Sequence, residues 1–429
     1  MGVNRAVEGS DIKLFKITSN TECGGGRHYK DIRRLVIDFS YEESVFDASI
    51  RATAVVTDAG GDPGGGTILT AMDELKIVGG EKTEITFLDN YGVEYTIEVY
   101  VNEILLNNST RKTQTYILSF CSKELLMNEI KRVRRRFEGK ISDHIPVILN
   151  EDLGASKALN IDDTVNEYNF LGNNYKPFYW CTSLAKKSVP FKKGKVAGYL
   201  FYETEKGYNF KAIDELFKQS KKATFIYNET VKEMPPGVDA KILDYNFDNN
   251  IDMQRNLQMG TYNTETFDQN PYDQKYEEVN FTTDEQGSVT KKLGKTKITD
   301  YLNNCFLEEP SRYFVYTQDI GANPKGTSLD EQLKNADKPN LEMKDITAQS
   351  AIRYQQAFTI KLEITIAAYM GLNAGDIVEV QLPEISAGKR TPQSEELNSG
   401  LYMISELCHK LTPNRSVSRL VLVRDSYDQ

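Results

Sequence analysis

The stretch GLNAGDIVEVQLPEI spans Gly371–Ile385, and the architecture can be worked out from it. A glycine turn opens into an alternating strand. Just upstream, Phe358, Ile360, Leu362, Ile364 and Ile366 alternate at period two, which buries one face of a long strand. Downstream, LYMISELCHKLTPNRSVSRLVLV (Leu401–Val423) gives two more strands about a polar loop. The stretch belongs to an antiparallel β module of barrel type. What the chain does with it depends on whether the module occurs twice.

The opposite end of the chain answers that question. LKIVGGEKTEITF (Leu75–Phe87) is followed by EYTIEVYVNEILLNNSTRKTQTYILSF (Glu94–Phe120), and AAYMGLNAGDIVEVQL (Ala367–Leu382) is followed by the strand pair above. Each set has a glycine turn, a strand, a strand with a central glutamate, a polar loop and a final strand. Glu103 and Glu406 lie 303 positions apart, and that offset brings YILSF to within about one residue of RLVLV. Other first-half segments, RRLVIDFSYEES and SIRATAVVTDAG, are strand-like, Asp89-Asn90-Tyr91-Gly92 marks a hairpin, and Gly60–Gly66 marks a flexible loop.

At Ser122 the period changes. Leu126, Ile130, Val133 and Phe137 are spaced for one face of a helix over 123–138, with Ser122 as N-cap and Glu124 in the first turn. A second short helix is expected after Ser142-Asp143, with Pro146 in its first turn, and two strands flank Glu203–Gly207. Residues 251–345 are polar and short of periodic runs, as in an inserted domain with long loops. The expected class is mainly β with α+β insertions: two similar antiparallel β-barrel domains and two smaller accessory domains. The division is 1–122 for the first barrel, 123–222 for an α+β accessory domain, 223–250 with 346–429 for the second barrel, and 251–345 for the insert.

Composition narrows the function. A chain of 429 residues exceeds one core. Its net charge of −10 argues against a dedicated nucleic-acid binder, which needs clustered cations. The five cysteines are scattered without a CxxC pair, so neither a disulfide framework nor a zinc site is indicated, and a reducing compartment fits. No run reaches the roughly 20 apolar residues of a membrane helix, the N-terminus lacks a signal-peptide core, and Ala6 weakens a myristoylation reading of Met1-Gly2.

The candidate sites are declined one by one. The basic run Lys131–Lys140 reads as a solvated helix surface or a contact to an acidic partner. Gly24–Gly26 and Gly79-Gly80 match no phosphate loop, His28, His144 and His409 form no metal pair, and there is no GxSxG elbow. A carboxylate pair for glycoside hydrolysis is defined by spatial separation and leaves no sequence signature. Trp180, the only tryptophan, reads as core beside Phe178 and Tyr179, and the sequons at Asn108, Asn228, Asn280 and Asn414 carry no weight without a secretory signal. No catalytic residue, metal ligand or cofactor is expected.

The order of elements resembles the baseplate central hub subunit of contractile-tailed, T-even-like phages, which is related to the hub part of type VI secretion spike proteins. The resemblance rests on the N-terminal β domain, the helix after Ser122, PFYWCTSLAKK followed by AGYLFYE, LNAGDIVEV, and SGLYMISELCHKLTPNRSVSRLVLVRDS. It implies a homotrimer in which the two β-barrels of each chain are tube domains, presenting six near-equivalent units. Such a ring adapts a hexameric tail tube to a trimeric central spike, meets the surrounding baseplate wedge proteins, and leaves a channel through which DNA passes without specific binding. It implies a non-enzymatic protein of the virion, in the tail baseplate and assembled in host cytoplasm. An acidic lumen would repel phosphates. Two alternatives stay open: a hub of a type VI or other contractile injection system, and a carbohydrate-binding or carbohydrate-cleaving tail protein using the aromatics of 251–345. The end at VRDSYDQ, with no needle repeat after it, favours a phage hub with a separate spike.

Overall fold

Seven strands build the first barrel: β1 (Ile12–Cys23), β2 (Gly26–Asp31), β3 (Val36–Ser44), β4 (Arg51–Asp58), β5 (Lys82–Leu88), β6 (Glu94–Ser109) and β7 (Gln114–Cys121). The computed structural model describes residues 12–427 apart from 24–25, 61–68, 89–93, 111–112, 191–196, 228–234, 248–251, 272–273, 283–290, 320–322, 324–325, 336–338 and 384–397. The glycine-rich loop beyond Gly60 and the turn at 89–92 therefore lie outside the described residues. The strands on either side of that turn do pair as an antiparallel hairpin.

The first barrel runs β1-β5-β6-β7-β4-β3, with β2 folded back on β1. Strict alternation along β4 and β5 sends Ala52, Ala54, Val56, Ile85 and Phe87 inward. Four phenylalanines, Phe15, Phe39, Phe87 and Phe120, fill the centre. Phe15 of β1 and Phe39 of β3 meet edge to face at 6.0 Å, and Ile32 N–H bonds Phe15 C=O at 2.9 Å, which holds the seam where β1 and β3 form no ladder.

The next segment departs from the single helix expected over 123–138. Helix α1 (Lys123–Ile130) ends at Ile130, which is exposed. Val133 instead bridges Tyr175, and Phe137 lies in the two-residue strand Arg136–Phe137 paired with Phe170-Leu171. The 3–4 spacing fails because Val133 and Phe137 also satisfy period two, and the stacked Phe137–Phe170 pair (4.7 Å) fixes the extended choice. Helix α2 (Ile141–Pro146) carries Pro146 at its last residue rather than in its first turn, and the chain continues as a π-helix over Val147–Leu153. Helix α3 (Pro177–Lys187) starts with Pro177 at its first position, where a missing N–H costs nothing. The hairpin β8 (Tyr199–Thr204) and β9 (Gly207–Ala212) follows as expected.

The second barrel is formed by β10 (Ala223–Ile226) and β11 (Ala240–Phe247), then, after an inserted segment, β15 (Ile360–Ala367), β16 (Ile377–Gln381), β17 (Gly400–Leu411) and β18 (Ser416–Arg424). The insert holds a sheet of β12 (Asn263–Gln269), β13 (Tyr276–Thr282) and β14 (Arg312–Thr317), with β12 central. A 15-residue helix α4 (Met343–Ala357) leads out of it, immediately before the long C-terminal strand, where sequence reading gave no helix.

The second barrel closes completely in the order β10-β16-β17-β18-β15-β11, with β10 paired to β11. Position for position this is the first barrel's β1-β5-β6-β7-β4-β3, and the strands arise in the same chain order. One difference stands out. β1 runs antiparallel to β5, whereas β10 runs parallel to both β16 and β11. The two barrels are welded edge to edge, because β3 pairs antiparallel with the outer half of β17, from Glu406↔Ser44 to Leu411↔Phe39. A single 13-stranded sheet thus runs through both.

Candidate functional site: the duplicated turn and the barrel junction

The duplication is carried in backbone detail. In the first barrel Gly80 N–H bonds Val101 C=O at 2.7 Å and Val101 N–H bonds Glu81 C=O at 3.0 Å. In the second, Gly375 N–H bonds Ile404 C=O at 2.8 Å and Ile404 N–H bonds Asp376 C=O at 2.9 Å. The acidic side chain repeats its role too: Glu81 accepts the Val78 N–H at 2.9 Å, and Asp376 accepts the Asn373 N–H at 2.8 Å. Both turn glycines have φ near +80° to +90°, the left-handed region that a side chain disfavours.

Bulges repeat at matching places. Pairing of β6 with β7 slips between Val101 and Glu103, and pairing of β17 with β18 slips between Ile404 and Glu406. The 303-residue spacing of the two glutamates is therefore the spacing of a shared bulge, which re-aims the strand after it. A second matched slip lies between Val36 and Asp38 in β3 and between Ile242 and Asp244 in β11. After it, Phe39 and Tyr41 correspond to Tyr245 and Phe247, all packed on their own barrel cores.

Glu43 sits at the junction, on β3, 2% exposed. It gathers donors from three parts of the chain. Tyr41 Oη donates at 2.7 Å, the Ala374 N–H at 2.9 Å and Asn373 Nδ2 at 3.3 Å from the second barrel's turn, and the Glu205 N–H at 2.8 Å from the β8–β9 hairpin. Burial raises the carboxyl more than these donors lower it, to about 7. His409 on β17 stacks on Tyr41 at 6.2 Å and 10°, accepts or shares a bond with Ser418 Oγ at 2.7 Å, and is held down to about 3 by burial, so it is neutral.

Two further charged clusters tie the accessory parts to the barrels. Glu203 is fully buried, accepts the Ile50 N–H at 3.1 Å and is paired with Lys157, which also reaches Glu124 at 3.4 Å. Arg353 of α4, 1% exposed, bridges Asp214 at 2.7 Å and Asp425 at 2.9 Å and donates to Lys291 C=O at 2.7 Å. This buried cation is compensated by two carboxylates and a carbonyl, though its Nε finds no hydrogen-bond partner among the described residues, and removing the cation would leave two carboxylates without a counter-charge.

The residues declined as sites on sequence grounds are dispersed. His28 is on the surface beside Glu74 at 3.1 Å, and His144 is buried, bonded to Tyr168 C=O at 3.0 Å, between Phe137 and Phe170. Trp180 stacks on Phe170 at 4.2 Å and donates its indole N–H to Gly172 C=O at 2.8 Å, as a core residue does. The basic run lies on extended chain, not around a helix: Arg134 bonds Asn174 at 2.9 Å, Arg135 pairs with Glu151 and, at 3.1 Å, Asp152, and Arg136 pairs with Glu138. Among the described residues no group of three or more His, Cys, Asp or Glu is placed to hold a metal, and no helix is long and apolar enough to cross a membrane. Sequence reasoning passed over Glu43, whose partners other than Tyr41 are more than 160 residues away, and Arg353, whose partners are more than 60 residues away, and no local signal marks them.

No protein-family model matches the sequence, and no curated protein matches it. Among solved structures, the chain is similar to the 43 kDa tail protein of prophage MuSo2 from Shewanella oneidensis, with a TM-score of 0.54 at 10% identity over 97% of this chain and 99% of that one. It is also similar to the tail protein from Neisseria meningitidis MC58, with a TM-score of 0.53 at 9% identity over 98% and 97%. At such identities the likeness establishes the fold: this chain has the fold of phage tail proteins along nearly its whole length.

Proposed function

We propose that this chain is the structural baseplate hub of a contractile phage tail. Three copies form a ring in which two barrels per chain give six near-equivalent positions. The ring joins a hexameric tail tube above to a trimeric central spike below, among the baseplate wedge proteins, and DNA crosses its channel during ejection without specific binding. The chain acts as a scaffold and not as an enzyme, in the virion tail after assembly in host cytoplasm. In this reading residues 1–122 and 223–250 with 346–429 are the tube domains, 123–222 is the accessory domain between them, and 251–345 is the insert that faces other components.

The observation that carries the proposal is the repeated barrel, with matching strand order, glycine-acid turn and bulges, fused edge to edge through β3 and β17. A ring that must look sixfold to one partner and threefold to another needs two interchangeable units per chain, and this duplication supplies them. Divergence between the copies is tolerated because the match lies in backbone path. Light scattering of the purified chain, alone and with its spike partner, tests the proposal: a trimer is expected, and a monomer under both conditions refutes it.

A further inference from the structure

The junction inside the chain leaves an unmatched pair of edges. In the second barrel, the outer half of β17 continues past the end of β16, and β3 covers its edge. In the first barrel, β6 likewise continues past β5, whose ladder ends at Lys82↔Tyr100, and among the described residues no strand pairs with that edge beyond Val101. The counterpart of β3 is β11. It pairs with β10 only at Ala240 and Lys241, so on that side residues 242–247 meet no strand among the described residues, while β15 holds the other side. Two edges whose duplicates bind each other within the chain are thus both unpaired, at the two far ends of the pair of barrels. Leu105 and Leu243, on these edges, are exposed apolar side chains. Unpaired edges of this length expose main-chain N–H and C=O groups and are templates for another strand.

We infer that the β6 edge of one copy pairs antiparallel with the β11 edge of the next, repeating between chains the β17–β3 junction found within each. The proposal rests on the ring reading and deepens it by naming the contact surface, its partner and its register. The register follows from the matched bulges. Because β6 slips against β7 once more, between Leu106 and Asn108, where β17 does not, His409↔Tyr41, Lys410↔Ser40 and Leu411↔Phe39 translate to Leu106↔Phe247, Asn108↔Asn246 and Ser109↔Tyr245. The surfaces that meet differ from each other, so the contact is heterologous and head to tail, and it closes only as a ring. Internal and intermolecular junctions then alternate around the bore, and neither the β6 edge nor the β11 edge is left free.

Cysteine pairing tests this in the full chain. A chain carrying Asn108→Cys is mixed with one carrying Asn246→Cys, co-refolded or co-expressed, oxidised, and the disulfide located by peptide mass mapping. Directly opposed residues bring their Cβ atoms within bridging range, whereas a one-residue slip turns the side chains to opposite faces; about tenfold more linkage is therefore expected than for Asn108→Cys with Tyr245→Cys. Ser109→Cys with Tyr245→Cys provides a second in-register pair should Asn246→Cys fold poorly. Linkage at the in-register pairs with little at the slipped pair is the expected result. A trimer by light scattering with no in-register linkage overturns the edge pairing and leaves the ring reading standing; a monomer with no linkage overturns both.

Discussion

Glu43 offers the most quantitative consequence of the junction. Its carboxyl is raised from 4.5 to about 7 because burial at the meeting point of both barrels and the β8–β9 hairpin outweighs its four donors. The folded state therefore holds this proton more tightly than the unfolded chain does. The stabilisation is fully present below pH about 4.5, declines as pH rises, and is lost once pH has passed about 7. With the shift between 4.5 and about 7, at 1.36 kcal/mol per unit, the loss amounts to roughly 3 kcal/mol. Glu43→Gln abolishes this titration while keeping the shape. Whatever its baseline cost, the variant should gain roughly 3 kcal/mol on the parent between about pH 4 and about pH 8. Urea unfolding of both proteins at matched concentration, across that range, measures the difference. A difference that stays constant with pH would refute the assignment of a buried, proton-holding carboxyl at the junction.

Arg353→Met leaves Asp214 and Asp425 buried without their cation and should cost about 3–5 kcal/mol in denaturant unfolding; a loss under about 1 kcal/mol contradicts the network. Gly375→Ala should lower the melting temperature more than Gly80→Ala: both have positive φ, but an added Cβ would sit 2.3 Å from Tyr202 Oη at Gly375 and no closer than 3.9 Å to Asn20 at Gly80. Equal effects would mean that backbone strain alone decides. Trp180, the only tryptophan, should resist acrylamide quenching and show no emission change with soluble glycans, whereas a glycan-dependent shift would favour the carbohydrate reading.

Local pattern made the barrels legible, and their likeness too, because a glycine turn, an alternating strand and a bulge each leave a residue-level trace. The paired Glu103 and Glu406 were such a trace, standing just past a bulge in each copy. Helices were harder. Met343–Ala357 is only weakly amphipathic and runs into a strand of strong period two, so its end was absorbed into that strand. Leu126 to Phe137 fits the helical period, but Val133 and Phe137 fit period two as well, and the packing of Phe137 against Phe170 decides for the extended chain there. The reversed β10 was not legible at all. Its parallel pairing with β11 and β16 depends on where distant strands leave a gap. The junction residues share that limit: Glu43 meets Glu205 and Ala374, 162 and 331 positions away.

A cryo-EM reconstruction of the full chain bears most directly on the central claim. Three copies should appear as six similar barrels around one bore, at steps of about 60°, with the β3–β17 junction and its intermolecular counterpart alternating. Barrels lying apart from any common bore, or a ring in which the two barrels of a chain occupy dissimilar positions, would contradict it.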